Sequence, residues 1–464
     1  MGKTKRFLSI IILAFAVSVF SGCGDGGSGG TPSQTPPSGQ QQVSIGISPT
    51  APAAINPGGT TTLTVTVRNT SNTAFTVALS PDFGSYDISG NIVTYTAPAT
   101  IEADTTVNLT VTSTADPTKS APAVPIGIVL PLSTVITKAL EAQGQSIVDS
   151  NLVSNMAVSV GVVVDGEVLF FNGGGGDRTI TNRTIYEIAS ITKTFTATVI
   201  ADLANKGDIS LDDPLDKFFD FSIPGYDGRV ITVFDLATHT SGLPTRTTNA
   251  SGRINDGWTI AETRDYFRSF TPTIRPGSEY IYSNLGFGML GYVIEQVTKK
   301  SFNQAVQSTI TSKLGMSDTT TDLSRVDKAR LAPPHNANGV PSYNMVLSSH
   351  MGAMGELKST VYDIIKYMSA ILGASETDPD LRAAFDTVFD AGLSWNNSSW
   401  NAQGHQFQML EHSGGSGGYT SQLRLCPEIN AGVIVLTNFS ESNVYGIESR
   451  FMEIIVNEAV KRLK

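Results

Sequence analysis

Two different hydrophobic periods divide this chain, and no single folding unit can satisfy both. Between residues 43 and 130 apolar side chains tend to recur at every second position, as in Thr61-Thr62-Leu63-Thr64-Val65-Thr66-Val67 and Val107-Asn108-Leu109-Thr110-Val111-Thr112. That spacing puts apolar and polar residues on opposite faces of a strand. Pro57-Gly58-Gly59 and Ser89-Gly90-Asn91 supply turns between such runs. From about residue 131 helix-type stretches and continuous apolar runs take over. The 464 residues leave room for two or three domains. The first reads as an all-β sandwich over 43–130, the second as an α/β domain over 131–464.

The N-terminus has the pattern of an export signal. Lys3, Lys5 and Arg6 precede an apolar run, Phe7 to Phe20, that is short for a membrane span. The run ends in Ser21-Gly22-Cys23, which resembles the lipobox of bacterial lipoproteins, with Phe20 where Leu is usual. The resemblance implies removal of residues 1–22 and lipidation of Cys23; the alternative is an ordinary cleavable signal with an incidental Cys. Residues 24–42 are Gly, Ser, Pro, Thr and Gln with one charge, Asp25, so 23–42 reads as a flexible linker. The expected setting is the bacterial cell envelope, with a lipid anchor in the membrane. Gly24 after Cys23 leans towards the outer membrane if the cell is Gram-negative, with an otherwise secreted or periplasmic protein as the alternative.

Composition excludes several function classes. Lys and Arg number 31 against 41 Asp and Glu, a net charge of -10, which disfavours nucleic acid as a partner. Two cysteines cannot build a disulfide scaffold or a Cys-rich zinc module. Five histidines with no H-E-x-x-H spacing disfavour a metallohydrolase. Neither a metal nor a cofactor is expected, and a monomer is.

The second domain carries the chemistry. Asp165-Gly166 between apolar runs 157–164 and 167–171 signals a hairpin. Ser190-Ile191-Thr192-Lys193 opens a buried helix that runs to Lys206 and is closed by Gly207. It is the only Ser-x-x-Lys in the chain. Positions i and i+3 share a helix face, so hydroxyl and amine can meet. Serine is a weak nucleophile that needs a base, and a desolvated lysine can serve as one. A helix start adds positive potential where an oxyanion forms. Downstream come the only Tyr-x-Asn, Tyr282-Ser283-Asn284, and the only His/Lys-Ser/Thr-Gly, His412-Ser413-Gly414, which leads into Gly415-Ser416-Gly417-Gly418.

These three motifs, in this order, resemble the serine β-lactamase and penicillin-binding-protein superfamily, in the branch of class C β-lactamases, DD-peptidases and related esterases. Ile188 to Ala197 is similar to the nucleophile segment, Leu236-Ala237-Thr238-His239-Thr240-Ser241-Gly242-Leu243-Pro244 to a second landmark, and Leu314-Gly315-Met316 to a third. The resemblance covers about residues 135–460. It implies that Ser190 is the acylated nucleophile and that Lys193 holds the proton network. It implies that Tyr282 is base and acid, with its phenol depressed by Lys193, and that Asn284 binds Lys193 and the substrate amide. The backbone N–H groups of Ser190 and Gly415 then form the oxyanion hole. His412, Ser413 and Gly414 line the substrate, with His412 where many β-lactamases carry Lys.

Val93-Thr94-Tyr95-Thr96-Ala97-Pro98 and Ala115 to Ser120 resemble bacterial Ig-like domains, which implies an immunoglobulin-type sandwich used as a spacer. His239 reads as a loop or cap residue, Cys426 as a buried small hydrophobe, and Gly173 to Gly176 as a loop. The fold implied for 131–464 is an antiparallel sheet from the hairpin and strands near 406–411, 419–426 and 431–438. Helices 133–152 and 443–463 cover one face, and residues 200–345 form a mainly helical lobe. The expected function is an acyl-serine hydrolase (DD-peptidase or esterase type) acting on peptidoglycan-derived D-alanyl peptides, D-amino-acid amides or small esters. The alternatives are a true β-lactamase and an inactive binding protein that uses the Ig-like module.

Overall fold

The computed structural model describes residues 41–464 except 154, 249–256, 349, 441–443 and 464. The export signal, Cys23 and the linker up to residue 40 lie outside the described residues. No described helix is long and apolar enough to cross a membrane. The chain forms two compact units.

The first unit comprises the described residues up to Thr100 together with Thr105–Ile128. It is all-β. Strands β1 (Ser44–Ser48), β2 (Thr60–Arg68), β5 (Ile92–Thr96) and β4 (Ser85–Ser89) make one sheet; β3 (Phe75–Ser80), β6 (Thr105–Ser113) and β7 (Val124–Ile128) make the other. The period-two pattern explains the burial. Leu63 and Val65 on β2, Val93 and Tyr95 on β5, and Val107, Leu109 and Val111 on β6 are buried, with more exposed residues between them. Gly58 and Gly90 take positive φ at the turns.

The second unit, Ile101–Asp104 with Val129–Lys464, is built on a six-stranded antiparallel sheet. Its spatial order is β12 (Asn396–Ala402), β13 (His405–Gly415), β14 (Thr420–Cys426), β15 (Ala431–Thr437), β8 (Ala157–Val164) and β9 (Glu167–Gly174). A small separate pair, β10 (Tyr186–Glu187) and β11 (Lys358–Ser359), precedes the Ser190 turn. β8 and β15 are buried along their whole length, because both faces of the sheet are covered. Val158, Val160, Val162, Val433 and Val435 face one core with α1 (Leu132–Ser150) and α10 (Val444–Leu463). Alternate residues, including Val163, Ile434 and Leu436, face the larger core. That core holds α2 (Thr192–Lys206), α3 (Val233–Ala237), α4 (Ile260–Ser269), α5 (Asn284–Thr298), α6 (Phe302–Val306), α8 (Val361–Leu372) and α9 (Pro379–Asp390), with the short α7 (Ser312–Leu314) packed beside it. Gly161 lets α8 approach β8, since a Cβ there would lie 2.9 Å from Ile365 Cγ1.

The α/β architecture and the two terminal helices match the sequence expectations. Two differences have physical reasons. β12, Asn-Asn-Ser-Ser-Trp-Asn-Ala, carries no apolar alternation because it is an edge strand. The lobe over 200–345 is less helical than expected: residues 318–348 run as turns and isolated bridges, pinned by side chains rather than by regular structure. Gly173 and Gly174 also differ from the expected loop by ending β9.

Arg424 on β14 pairs with two carboxylates, Glu411 at 2.7 Å and the buried Glu448 of α10 at 3.2 Å. Burial pushes Glu448 up to about 7; Arg424 opposes this and Glu411 adds to it. A folded value above the unfolded one favours the protonated side chain. That contribution is complete below the unfolded value and is lost as pH rises through about 7. Thermal melts are therefore expected to fall as pH rises from about 5 to about 7, and Glu448→Gln to remove much of that fall; an equal fall in the variant would contradict this.

Candidate active site

The three motifs, far apart in sequence, meet at one point of the second unit. Ser190 lies in a one-turn 3-10 segment, Ala189–Ile191, directly ahead of α2. Ala189 has φ +45, a left-handed conformation that costs a non-glycine residue about 1 kcal/mol or more. This turn swings the chain from β10 into the helix and leaves Ser190 half-buried at the junction.

Lys193 is fully buried one turn on. Its Nζ lies 3.1 Å from Ser190 Oγ, 2.9 Å from Asn284 Oδ1 and 2.5 Å from the Met354 carbonyl. All three partners are neutral oxygens. Lys193 Nζ also sits 4.9 Å from the Tyr282 ring centre and 5.6 Å from that of Phe287.

Tyr282 and Asn284 are delivered by a second segment that explains the His239-to-Pro244 landmark. The Ile281 N–H donates to the His239 carbonyl at 2.7 Å, and the Ser283 N–H donates to His239 Nδ1 at 3.0 Å. The Ser283 hydroxyl donates to the Pro244 carbonyl, and the Asn284 N–H to the Thr245 carbonyl. Ser283 also caps α5 by accepting the Gly286 N–H at 3.0 Å. The His239 ring packs tilted against the Tyr282 ring, with 4.5 Å between centres. Its reading as a loop-fixing residue agrees with these contacts. Burial drives it down to about 2, with Lys193 and His412 adding, so it is neutral.

The Tyr282 hydroxyl hydrogen-bonds Ser190. The expectation of a depressed phenol is not met. Burial raises it to about 12, outweighing the Ser190 hydrogen bond, so in the free site the phenol keeps its proton at neutral pH.

His412, Ser413, Gly414 and Gly415 occupy the last positions of β13, paired to β14. His412 is buried, and its Nδ1 lies 2.8 Å from the Ser413 carbonyl, so the neutral ring donates from Nδ1. Burial and then Lys193 push it down to about 4. It carries no charge near neutral pH, rather than the partial charge expected of an exposed His. Gly414 is packed against the nucleophile turn: a Cβ there would fall 2.4 Å from the Ile188 carbonyl and 3.0 Å from Ser190 N. Gly414→Ala is therefore expected to push β13 away from Ser190 and lower kcat/KM about a hundredfold; near wild-type kinetics would show that the strand yields freely. Gly415 is exposed beside it.

Sequence reasoning missed the Met354 carbonyl, the third partner of Lys193, because a backbone acceptor leaves no mark in composition. It missed the strain at Ala189 for the same reason. Among the described residues no group of His, Cys, Asp and Glu could hold a metal ion. Cys426 is a free, buried thiol.

Known proteins resemble this chain over the second unit. The family model described as Beta-lactamase matches residues 148–452. The chain is 29% identical over 308 residues to the D-alanyl-D-alanine-carboxypeptidase/endopeptidase AmpH of Escherichia coli (strain K12), covering 60% of this chain and 78% of that protein. It is 27% identical over 242 residues to a Beta-lactamase of Lysobacter lactamgenus, covering 49% of this chain and 59% of that one. Among solved structures, a class C beta lactamase from Rhodobacter sphaeroides aligns with a TM-score of 0.57 at 21% identity, covering 71% of this chain and all of that one. A Beta-lactamase/D-alanine Carboxypeptidase from Yersinia pestis, complexed with citrate, aligns with a TM-score of 0.57 at 24% identity, covering 69% and 99%. At these identities the structural matches speak for the fold.

Proposed function

The chain belongs to the Beta-lactamase family, a family of serine hydrolases, and on that premise we propose that it hydrolyses D-alanyl peptides, D-amino-acid amides or small esters through an acyl-serine intermediate. The observation that carries this reading is the 3.1 Å approach of the buried Lys193 amine to Ser190 Oγ, with Tyr282 hydrogen-bonded to the same oxygen.

Ser190 Oγ attacks the carbonyl carbon and passes its proton to Lys193. Two N–H bonds of the amine stay on Asn284 Oδ1 and the Met354 carbonyl, and its third position faces Ser190. The negative oxygen of the tetrahedral species takes the backbone N–H groups of Ser190 and Gly415. The phenol of Tyr282 gives its proton to the leaving group, and Lys193 passes the proton it took to the Tyr282 phenolate. Water then cleaves the ester by the reverse route, with the same two side chains moving the protons.

A neutral, buried His412 supports substrates that do not rely on a cation at that position to hold a carboxylate. This favours D-amino-acid amides and small esters, which carry no such carboxylate, over β-lactam antibiotics. Ser413 and Gly414 line the acyl group in the same reading. The N-terminal part completes it: Cys23 carries the lipid, residues 23–42 form the tether, and the all-β unit is an Ig-like spacer in the cell envelope.

A turnover panel tests the reading: a chromogenic cephalosporin, a D-Ala-D-Ala peptide and short-chain nitrophenyl esters. Turnover of peptide or ester, with penicillin retained as a slow adduct, is the expected result. Rapid turnover of the cephalosporin alone would assign the enzyme as a β-lactamase.

A further inference from the structure

A three-charge cluster, with Glu187 and Lys358 buried and Glu356 half-buried, lies beside the site, and the acid–base steps above do not use it. Glu187 on β10 is paired across the ladder with Lys358 on β11, and Glu356 lies two residues before Lys358. Glu187 is 1% exposed and Lys358 is 0% exposed. Burying such charges is costly unless they are paired and hydrogen-bonded. What they hold is therefore informative.

They hold two segments that lack regular structure. Glu187 Oε1 accepts the Met345 N–H at 2.6 Å, and Oε2 accepts the Ser416 hydroxyl at 2.8 Å. Lys358 Nζ donates to the Met345 carbonyl at 3.1 Å, and Glu356 accepts the Leu347 N–H at 3.0 Å. The cluster thus grips the stretch around residues 345–347 and, through one carboxylate oxygen, the turn that follows β13. Ser342 ties these two segments to each other by donating to the Gly417 carbonyl at 2.7 Å.

Ser416 directly follows Gly415, and Glu187 stands three residues before Ser190. The strand end that carries Glu187 is fixed to β14 as well, where the Ser421 hydroxyl donates to the Ile188 carbonyl at 2.9 Å. One carboxylate therefore joins the segment bearing the nucleophile to the turn bearing the second oxyanion donor. We infer that Glu187 is a positioning residue: through Ser416 it holds the Gly415 N–H at the distance from Ser190 that the oxyanion requires. The inference rests on the reading of Ser190 and Gly415 given above.

An oxyanion hole acts only if its donors lie about 2.7–3.1 Å from the developing charge. A tie that sets this distance affects the transition state and leaves ground-state binding alone. Loss of the tie should lower the rate of bond formation without weakening the preceding complex.

The test is the rate of covalent labelling of the full chain by a fluorophosphonate, whose phosphoryl oxygen occupies the oxyanion position. Ser416→Ala removes the hydroxyl alone. It is expected to lower the maximal labelling rate about tenfold, with the half-saturating probe concentration and melting temperature near wild type. Ser416→Thr keeps a hydroxyl and is expected to restore the rate. Glu187→Gln is expected to stay within a few-fold of wild type, because its amide can accept from Met345 and donate to Ser416 Oγ, whereas Glu187→Ala loses both bonds. Wild-type labelling in Ser416→Ala, or an equal loss in Ser416→Thr, would overturn the positioning role. A wild-type chain that takes no label would overturn the serine-hydrolase reading first, and this inference with it.

Discussion

Ser190→Ala is expected to abolish covalent labelling by penicillin or a fluorophosphonate and to lower kcat/KM roughly a hundred-thousandfold. The size of the effect follows from the chemistry removed. Oγ forms the bond to the acyl carbon, and no neighbouring group can take its place. Lys193 is fully buried, with Asn284 Oδ1 and the Met354 carbonyl within 2.9 Å of Nζ. The fold itself should tolerate the change. Ser190 is half-buried and sits in a turn whose shape depends on Ala189 and on the packing of Gly414. Activity lost without a loss of melting temperature is therefore the expected signature. Labelling that survives in the variant would move the nucleophile elsewhere.

Tyr282→Phe is the second large effect, about a thousandfold in kcat. The ring stays, and with it the contacts to His239 at 4.5 Å and to Lys193 Nζ at 4.9 Å. Only the hydroxyl that touches Ser190 is lost. A phenol held near 12 is protonated throughout the neutral range, so its contribution is that of an acid toward the leaving group. The loss should be greatest for amides, whose leaving nitrogen must be protonated, and smaller for nitrophenyl esters, whose leaving oxygen departs unaided. Steady-state kinetics on one amide and one nitrophenyl ester check this; equal losses on both would remove the acid role from Tyr282.

Much of the site was legible in the sequence because the motifs combine side-chain chemistry with short-range geometry. Ser190 and Lys193 are one turn apart, so their meeting was already implied by helix spacing. The approach of Tyr282 and Asn284 to them was implied only by family resemblance, since nothing local joins residues some ninety positions apart. The cause became visible in the ladder between the His239-to-Thr245 stretch and Ile281-to-Asn284.

The charge state of the site was not legible. His412 and Tyr282 shift in opposite directions from their ordinary values for the same reason, burial, which depends on residues distant in sequence. Glu187 was passed over because a single acidic residue in an apolar stretch says nothing about which hydroxyl it will meet. At the level of the fold, β8 and β15 announced themselves through continuous apolar runs. The polar edge strand β12 and the irregular stretch 318–348 did not, because neither buries a periodic face.

The central claim is that Ser190 is the nucleophile and is activated by Lys193, and peptide mapping of the covalent adduct tests it most directly. After brief exposure to a fluorophosphonate, proteolysis and mass spectrometry should place the whole added mass on Ser190, with labelling slowed strongly in Lys193→Ala. An adduct on any other residue, or equal labelling of Ser190 with and without Lys193, would contradict the account.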